Sequence, residues 1–212
     1  MSKEQMEREY VRAIGLVARA HAFQRYGDYP YIHHLMAVER VLGIFNMHPF
    51  SNEKQRKLPV GVCHELRLAC LLHDTLEDTF VTLESLEEDF GVAVAGLVYC
   101  VTNDPVPDSV TDKAERRALK FKGVYEKLKS NWKALVVKLC DRIANVESCL
   151  NYRLTKDRQK AFDKLEMYVN EYECFRAHLF DPQMSETKSL WKHLDFRISE
   201  GKALLYAHRP QD

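Results

Sequence analysis

Neither sign of charge is in surplus in this sequence, where 31 lysines and arginines face 31 aspartates and glutamates. Without a global field the chain has no broad electrostatic claim on nucleic acid, a membrane or an acidic partner, so a polyanionic ligand must be met by a local pocket. Long apolar runs are missing too. No segment approaches the roughly 20 apolar residues that span a bilayer. The opening "MSKEQMEREYVRAIGL" is charged where a secretory leader would carry an apolar stretch. Cys63, Cys70, Cys100, Cys140, Cys149 and Cys174 form no CxxC pair, and most sit among apolar neighbours as small core side chains do. This usage points to a reducing compartment and a cytoplasmic protein. No internal repeat, low-complexity tract or domain linker interrupts the chain. Its 212 residues suffice for one substantial core and are too few for several catalytic modules.

What the sequence does have is helical periodicity almost throughout. Val11, Ile14, Leu16, Val17 and Ala20 mark a first helix, residues 34–45 a second and residues 64–78 a third. Between the last two, residues 46–63 carry Pro49, Pro59 and several charges and read as an exposed loop. Thr82 is placed to cap "LESLEEDF", with Glu84 at the positive helix end, and Gly91 punctuates before "VAVAGLVYCVT". Thr111 is a candidate cap for a helix running to about residue 129. "WKALVVKLCDRIANVESCL" has two adjacent valines, but its length and the spacing of Ile143, Val146 and Leu150 favour a helix. Stretches 158–180 and 185–206 complete an expected all-α, helical-bundle fold with residues 1–212 as a single domain.

The segment "LLHDTLEDT", residues 71–79, sets His73, Asp74, Glu77 and Asp78 at the end of an apolar helix. His73 and Glu77 are four residues apart, as are Asp74 and Asp78, so each pair shares a helix side. Carboxylates in apolar surroundings need a cation, a hydrogen-bond network or a proton. Two other places offer matching groups. In "GDYPYIHH" a turn leads directly into a helix at His34, and in "VVKLCDRIANVE" Asp141 lies in a largely apolar helix. Taken singly, His34 reads as a helix-start residue, and Asp141 as an acid paired with Lys138 or Arg142. Together, two imidazoles and two carboxylates from three separated helices can close around one divalent cation of the manganese, iron or zinc type.

The segments "QRYGDYPYIHH", "ACLLHDTLEDT", "FGVAVAGLVYCVT" and "VKLCDRIANVE", in this order, resemble the HD-domain hydrolases of the RelA/SpoT alarmone family, especially the small stand-alone ones. The resemblance covers roughly residues 10–175, leaving C-terminal helices over 176–206. It implies an all-helical HD fold, one manganese ion and removal of the 3′-pyrophosphate from guanosine alarmones, and the substrate is read as such an alarmone or a close relative such as an adenosine alarmone. Residue by residue, it implies that His34, His73, Asp74 and Asp141 hold the metal and that Glu77 and Asp78 are the catalytic acidic pair. Arg25 and Asn145 match substrate-contacting positions, and Tyr168 in "KLEMYVNEY" matches a tyrosine near the substrate. Lys138 is either a phosphate contact or the ion-pair partner of a neighbouring acid, and Asn145 either bonds a ribose hydroxyl or braces a metal ligand. The expected partner is a small nucleotide, with no membrane.

The chain departs from that pattern in places. Leu35 follows His34 where the family usually has proline, and His33 supplies a competing imidazole, although the spacing from "PYI" selects His34. Tyr26 stands where a basic residue commonly follows the stacking arginine. The loop over 46–63 is longer than in compact relatives and is expected to be solvated. Other readings of the same centre are a different nucleotide phosphohydrolase or phosphodiesterase, an antitoxin-like hydrolase of pyrophosphorylated tRNA ends, and a non-catalytic nucleotide-binding module. Retention of Glu77 and Asp78 argues against the last, since binding alone has no use for them. Trp191, Phe196 and Tyr206 either pack onto the domain or onto a second subunit.

Overall fold

A helix apolar around most of its circumference has to be wrapped by others, and the segment carrying Asp141 is such a helix. The computed structural model describes residues 1–151 and 157–208. In chain order the elements are α1 (Lys3–Ala20), β1 (Arg25–Tyr26), β2 (Tyr29–Pro30), α2 (Ile32–Ile44), α3 (Val60–Leu72), α4 (Thr75–Asp78), α5 (Leu83–Val101), α6 (Lys113–Lys129), α7 (Trp132–Leu150), α8 (Arg158–Leu179) and α9 (Lys188–Ala207). The core-facing residues of α7, among them Val136, Val137, Leu139, Cys140, Ile143 and Val146, are fully buried. They pack against α2, α3, α5, α6, α8 and α9. Asp141 therefore reaches the interior because its helix is the axle of the bundle.

Local chemistry explains where the helices begin. Ser2 caps α1 by accepting from the Gln5 amide. Thr82 and Ser85 form a reciprocal capping box at α5, as the sequence suggested for Thr82. Gly91 breaks α5 with φ of +81°, a backbone angle that glycine adopts without steric cost. At α6 the cap is Asp112, whose carboxylate accepts from the Glu115 amide, so the expected cap at Thr111 is displaced by one residue. An ionised cap suits the positive helix end better than a hydroxyl does.

Two further boundaries differ from the sequence reading. The stretch expected as a loop over 46–63 already turns helical at Val60, and the helix expected over 64–78 stops at Leu72 and resumes at Thr75. The loop folds toward α9, where Lys57 Nζ donates to Ser189 Oγ at 3.1 Å. The short β1–β2 hairpin is the one departure from all-α structure among the described residues. Gln24 ties the hairpin down, with Nε2 donating to the Asp78 carbonyl at 2.7 Å and Oε1 2.8 Å from His21 Nδ1. Trp191 is buried against Phe175 and Phe180, so this aromatic packs onto the bundle, while Phe196 and Tyr206 are exposed. All six cysteines are free thiols, and no helix among the described residues is long and apolar enough to cross a membrane.

Candidate active site

The break between α3 and α4 decides the geometry. In a continuous helix, adjacent side chains diverge by about 100° and could not aim at one point. Here Asp74 leaves the helical path with φ −98° and ψ −1°, and Thr75 Oγ1 turns back to the Leu72 carbonyl at 2.7 Å. As a result His73 Nε2 and Asp74 Oδ2 approach to 3.0 Å. His34, from the first turn of α2, brings its Nε2 to 3.8 Å from Asp74 Oδ2 and 3.4 Å from Asp141 Oδ1. His73 Nε2 lies 3.7 Å from the same Asp141 oxygen. A cation bonded at about 2.0–2.2 Å to nitrogen and oxygen donors spans separations up to about 4.4 Å. His34, His73 and Asp141 form a group able to hold a metal ion.

The surrounding hydrogen bonds aim these donors. His73 Nδ1 lies 2.9 Å from the Cys70 carbonyl. An imidazole that donates there presents its Nε2 lone pair to the cluster, and Nε2 has no hydrogen-bond partner of its own although it is buried. Tyr31 donates to Asp74 Oδ2 at 2.7 Å. Asp141 divides its oxygens, with Oδ1 facing the imidazoles and accepting from Asn145 Nδ2, and Oδ2 lying 3.3 Å from Lys138 Nζ. Lys138 thus stands as an ion-pair partner of Asp141 while still lining the cleft. Asn145 accepts in turn from the Tyr26 hydroxyl at 2.8 Å, which gives it the bracing geometry.

Electrostatics favour a positive species at the centre. Burial alone would raise the Asp74 carboxyl, but the charge on His73 carries it down to about 2. Burial likewise opposes ionisation of Asp141, which Lys138 and the two imidazoles nevertheless hold well below the usual carboxylate range. Against its own burial, His73 is pushed up to about 10 by Asp74 and Asp141. With no metal bound, a proton supplies the positive charge these carboxylates require, which is the property expected of a cation site.

The cluster opens into a cleft of about 380 Å³ whose lining includes Arg25, Glu77, Asp78 and Tyr168. The Asp78 amide keeps the helical bond to the Asp74 carbonyl at 3.0 Å, so the acidic pair rides on the metal-site turn. Burial, then Asp74 and Glu77, push the Asp78 carboxyl above its ordinary value. Glu77 turns toward α6: Asn103 Nδ2 donates to both carboxylate oxygens at 2.9 Å, and Lys120 Nζ is 3.8 Å away. Exposed Arg25 donates back to the Asp28 carbonyl across the hairpin. Tyr168 lies under the Arg142 guanidinium, 4.8 Å from its ring centroid. His33 is stacked on Tyr29 at 4.6 Å, at the cleft edge and outside the metal group, so His34 is the imidazole in the cluster.

Several site residues escaped the sequence reading: Tyr26 and Tyr31 as hydrogen-bond donors, Asn103 and Lys120 around Glu77, and the cleft-lining Lys160 and Lys164. A signal for the last two was present. Lys160, Lys164 and Tyr168 are spaced by four along α8 and share a helical face.

A family model described as HD domain matches residues 13–170. The guanosine-3′,5′-bis(diphosphate) 3′-pyrophosphohydrolase of Aquifex aeolicus is 33% identical over 123 residues, covering 58% of this chain and 17% of that protein. The bifunctional (p)ppGpp synthase/hydrolase SpoT of Escherichia coli K12 is 33% identical over 171 residues, covering 79% of this chain and 22% of SpoT. The chain therefore spans only a minor part of the length of these relatives. Among solved structures, a metazoan ortholog of SpoT that hydrolyses ppGpp superimposes with a TM-score of 0.57 at 22% identity, over 91% of this chain and 93% of that one. The two share a fold.

Proposed function

The chain belongs to the HD domain family, and on that footing we propose that it is a metal-dependent pyrophosphohydrolase removing the 3′-pyrophosphate from guanosine or adenosine alarmones. The observation that carries the reading is the joining, in one cleft, of an imidazole–carboxylate cluster, a separate acidic pair on the adjoining turn and a rim of cations. The relatives named as a guanosine-3′,5′-bis(diphosphate) 3′-pyrophosphohydrolase and a (p)ppGpp synthase/hydrolase support the substrate class.

In this reading His34, His73, Asp74 and Asp141 hold one divalent ion, manganese, as the mixed nitrogen and oxygen donors suit. When bound, such an ion would lower the pKa of water and draw charge from a phosphoryl oxygen. Glu77 and Asp78 orient the attacking water, accept its proton and return one to the departing 3′ ribose oxygen. The net reaction takes ppGpp and water to GDP and pyrophosphate. Phosphoryl transfer rests chiefly on positioning and charge neutralisation, so Lys160 and Lys164 meet the phosphates, with Lys138 beside Asp141 as a nearer cation. Arg25 at the mouth stacks on the purine or holds an outer phosphate, and Tyr168 flanks the sugar while Asn145 braces Asp141. Free, mostly buried cysteines suit a reducing, cytoplasmic setting.

The test is a substrate panel. Manganese-loaded protein is incubated with ppGpp, pppGpp, ppApp, a cyclic dinucleotide and ordinary nucleotides, and products are separated by ion exchange. Pyrophosphate released from the 3′-pyrophosphorylated members alone is the expected result. Cleavage confined to the other nucleotides would replace this reading with a general phosphohydrolase.

A further inference from the structure

The Tyr26 ring lies flat on the His34 imidazole, with centroids 4.6 Å apart and planes 14° from parallel. Its hydroxyl donates to Asn145 Oδ1 at 2.8 Å, and Asn145 Nδ2 donates to Asp141 Oδ1. One side chain from β1 thereby touches a ligand candidate on α2 and, through one amide, steers another on α7. Neighbouring residues of a strand point to opposite faces, and here Arg25 is exposed while Tyr26 is half-buried. The arrangement also fixes the Asn145 amide, because an oxygen that accepts from Tyr26 leaves the nitrogen for Asp141. His34 Nδ1 is buried without a hydrogen-bond partner, so the usual outer-shell acceptor that orients a ligating imidazole is missing on that ring. His73, by contrast, has the Cys70 carbonyl.

We propose that Tyr26 is a positioning residue of the metal centre, orienting His34 by stacking and Asp141 through Asn145. This inference rests on the reading of His34 and Asp141 as metal ligands. It assigns Tyr26 to the metal ion of the site and not to the phosphates of the substrate, although Tyr26 lines the same cleft and Lys164 Nζ sits 5.4 Å from its ring centroid.

Tyr26→Phe keeps the ring and deletes only the hydroxyl. Manganese affinity is measured on metal-stripped parent and variant by titration with manganese alone, reading free ion by its electron spin resonance signal. Loss of an outer-shell partner weakens metal binding by about 10-fold to 100-fold, and Tyr26→Phe is expected at the lower end, with Tyr26→Ala weaker still. The manganese concentration that half-saturates turnover should rise by the same factor. In an Asn145→Ala background Tyr26→Phe should add little further loss, because the relay is already cut. Equal manganese affinity in parent and Tyr26→Phe, with a raised KM for nucleotide, would overturn the inference and make Tyr26 a substrate contact. Additive losses in the double variant would overturn it too. Thermal unfolding of the metal-free proteins separates a folding defect from a metal defect: a variant that loses affinity at unchanged melting temperature supports the assignment. A parent that binds no manganese would instead remove the functional reading on which the inference stands.

Discussion

His73 and Asp74 are neighbours in the chain, yet Nε2 of one and Oδ2 of the other meet at 3.0 Å without the direction of a hydrogen bond, because the helix ends at Leu72, just before the pair, and resumes at Thr75, just after it. Both atoms aim at a shared point and not at each other, which is how ligands of one ion are arranged.

The first prediction concerns protons. In the metal-free protein His73 is raised from 6.5 to about 10, so at pH 7.5 it is charged, whereas a ligand must be neutral. Metal binding should therefore expel about one proton, and affinity should climb about tenfold per pH unit between the two values. The sign for stability is the reverse. A raised imidazole pKa stabilises the metal-free fold fully below 6.5, and that contribution disappears as pH rises through 10. Calorimetric titration in buffers of different ionisation heat reads the proton count, and metal binding with no proton release would contradict the protonated resting state.

Asp141→Ala should lose the ion. It removes an oxygen shared by both imidazoles and leaves Lys138 to project its charge toward the cluster. Dialysed protein should retain under about a tenth of the parent's metal. Full occupancy in this variant would take Asp141 out of the ligand set.

Asp78→Asn should behave oppositely. Its carboxyl lies beyond the ligand cluster, on the turn that carries Glu77, so turnover should fall by about 100-fold or more while metal content stays near the parent's. Equal turnover in variant and parent would end the catalytic assignment.

Lys160→Gln and Lys164→Gln should each raise KM for a pyrophosphorylated nucleotide by about 10-fold, with a smaller change in kcat, because both line the cleft from the exposed face of α8. The effect should shrink at high salt, where exposed charges are screened. A KM unchanged in the double variant would place the phosphates elsewhere.

Trp191→Ala should destabilise the fold by about 3–5 kcal/mol, the range for emptying an aromatic site in a core. Trp191 is only 1% exposed and packs on Phe175 and Phe180. A melting temperature within a degree of the parent's would show that α9 contributes little to stability.

The bundle was legible because its helices carry strong apolar periodicity, and the cluster because its donors sit in unusual places: acids in apolar helices and a histidine behind a tight turn. The interruption at His73 and Asp74 was not. Both residues continue the helical pattern in sequence, and only their convergence on His34 and Asp141, distant in the chain, makes the break favourable. The same holds for Tyr26 and Asn103, whose partners lie 119 and 26 residues away. Periodicity says which face a residue takes; it is silent on which remote side chain will stand opposite. Thr111 and Asp112 illustrate a finer limit, since both are good caps and the choice turns on one residue of register.

The most direct test of the account is the release of pyrophosphate and GDP from ppGpp by manganese-loaded protein, measured against the same preparation stripped of metal. The account predicts stoichiometric pyrophosphate and GDP in the loaded sample, none in the stripped one, and recovery when manganese is returned. Protein that binds manganese and still leaves the 3′-pyrophosphate intact would contradict it.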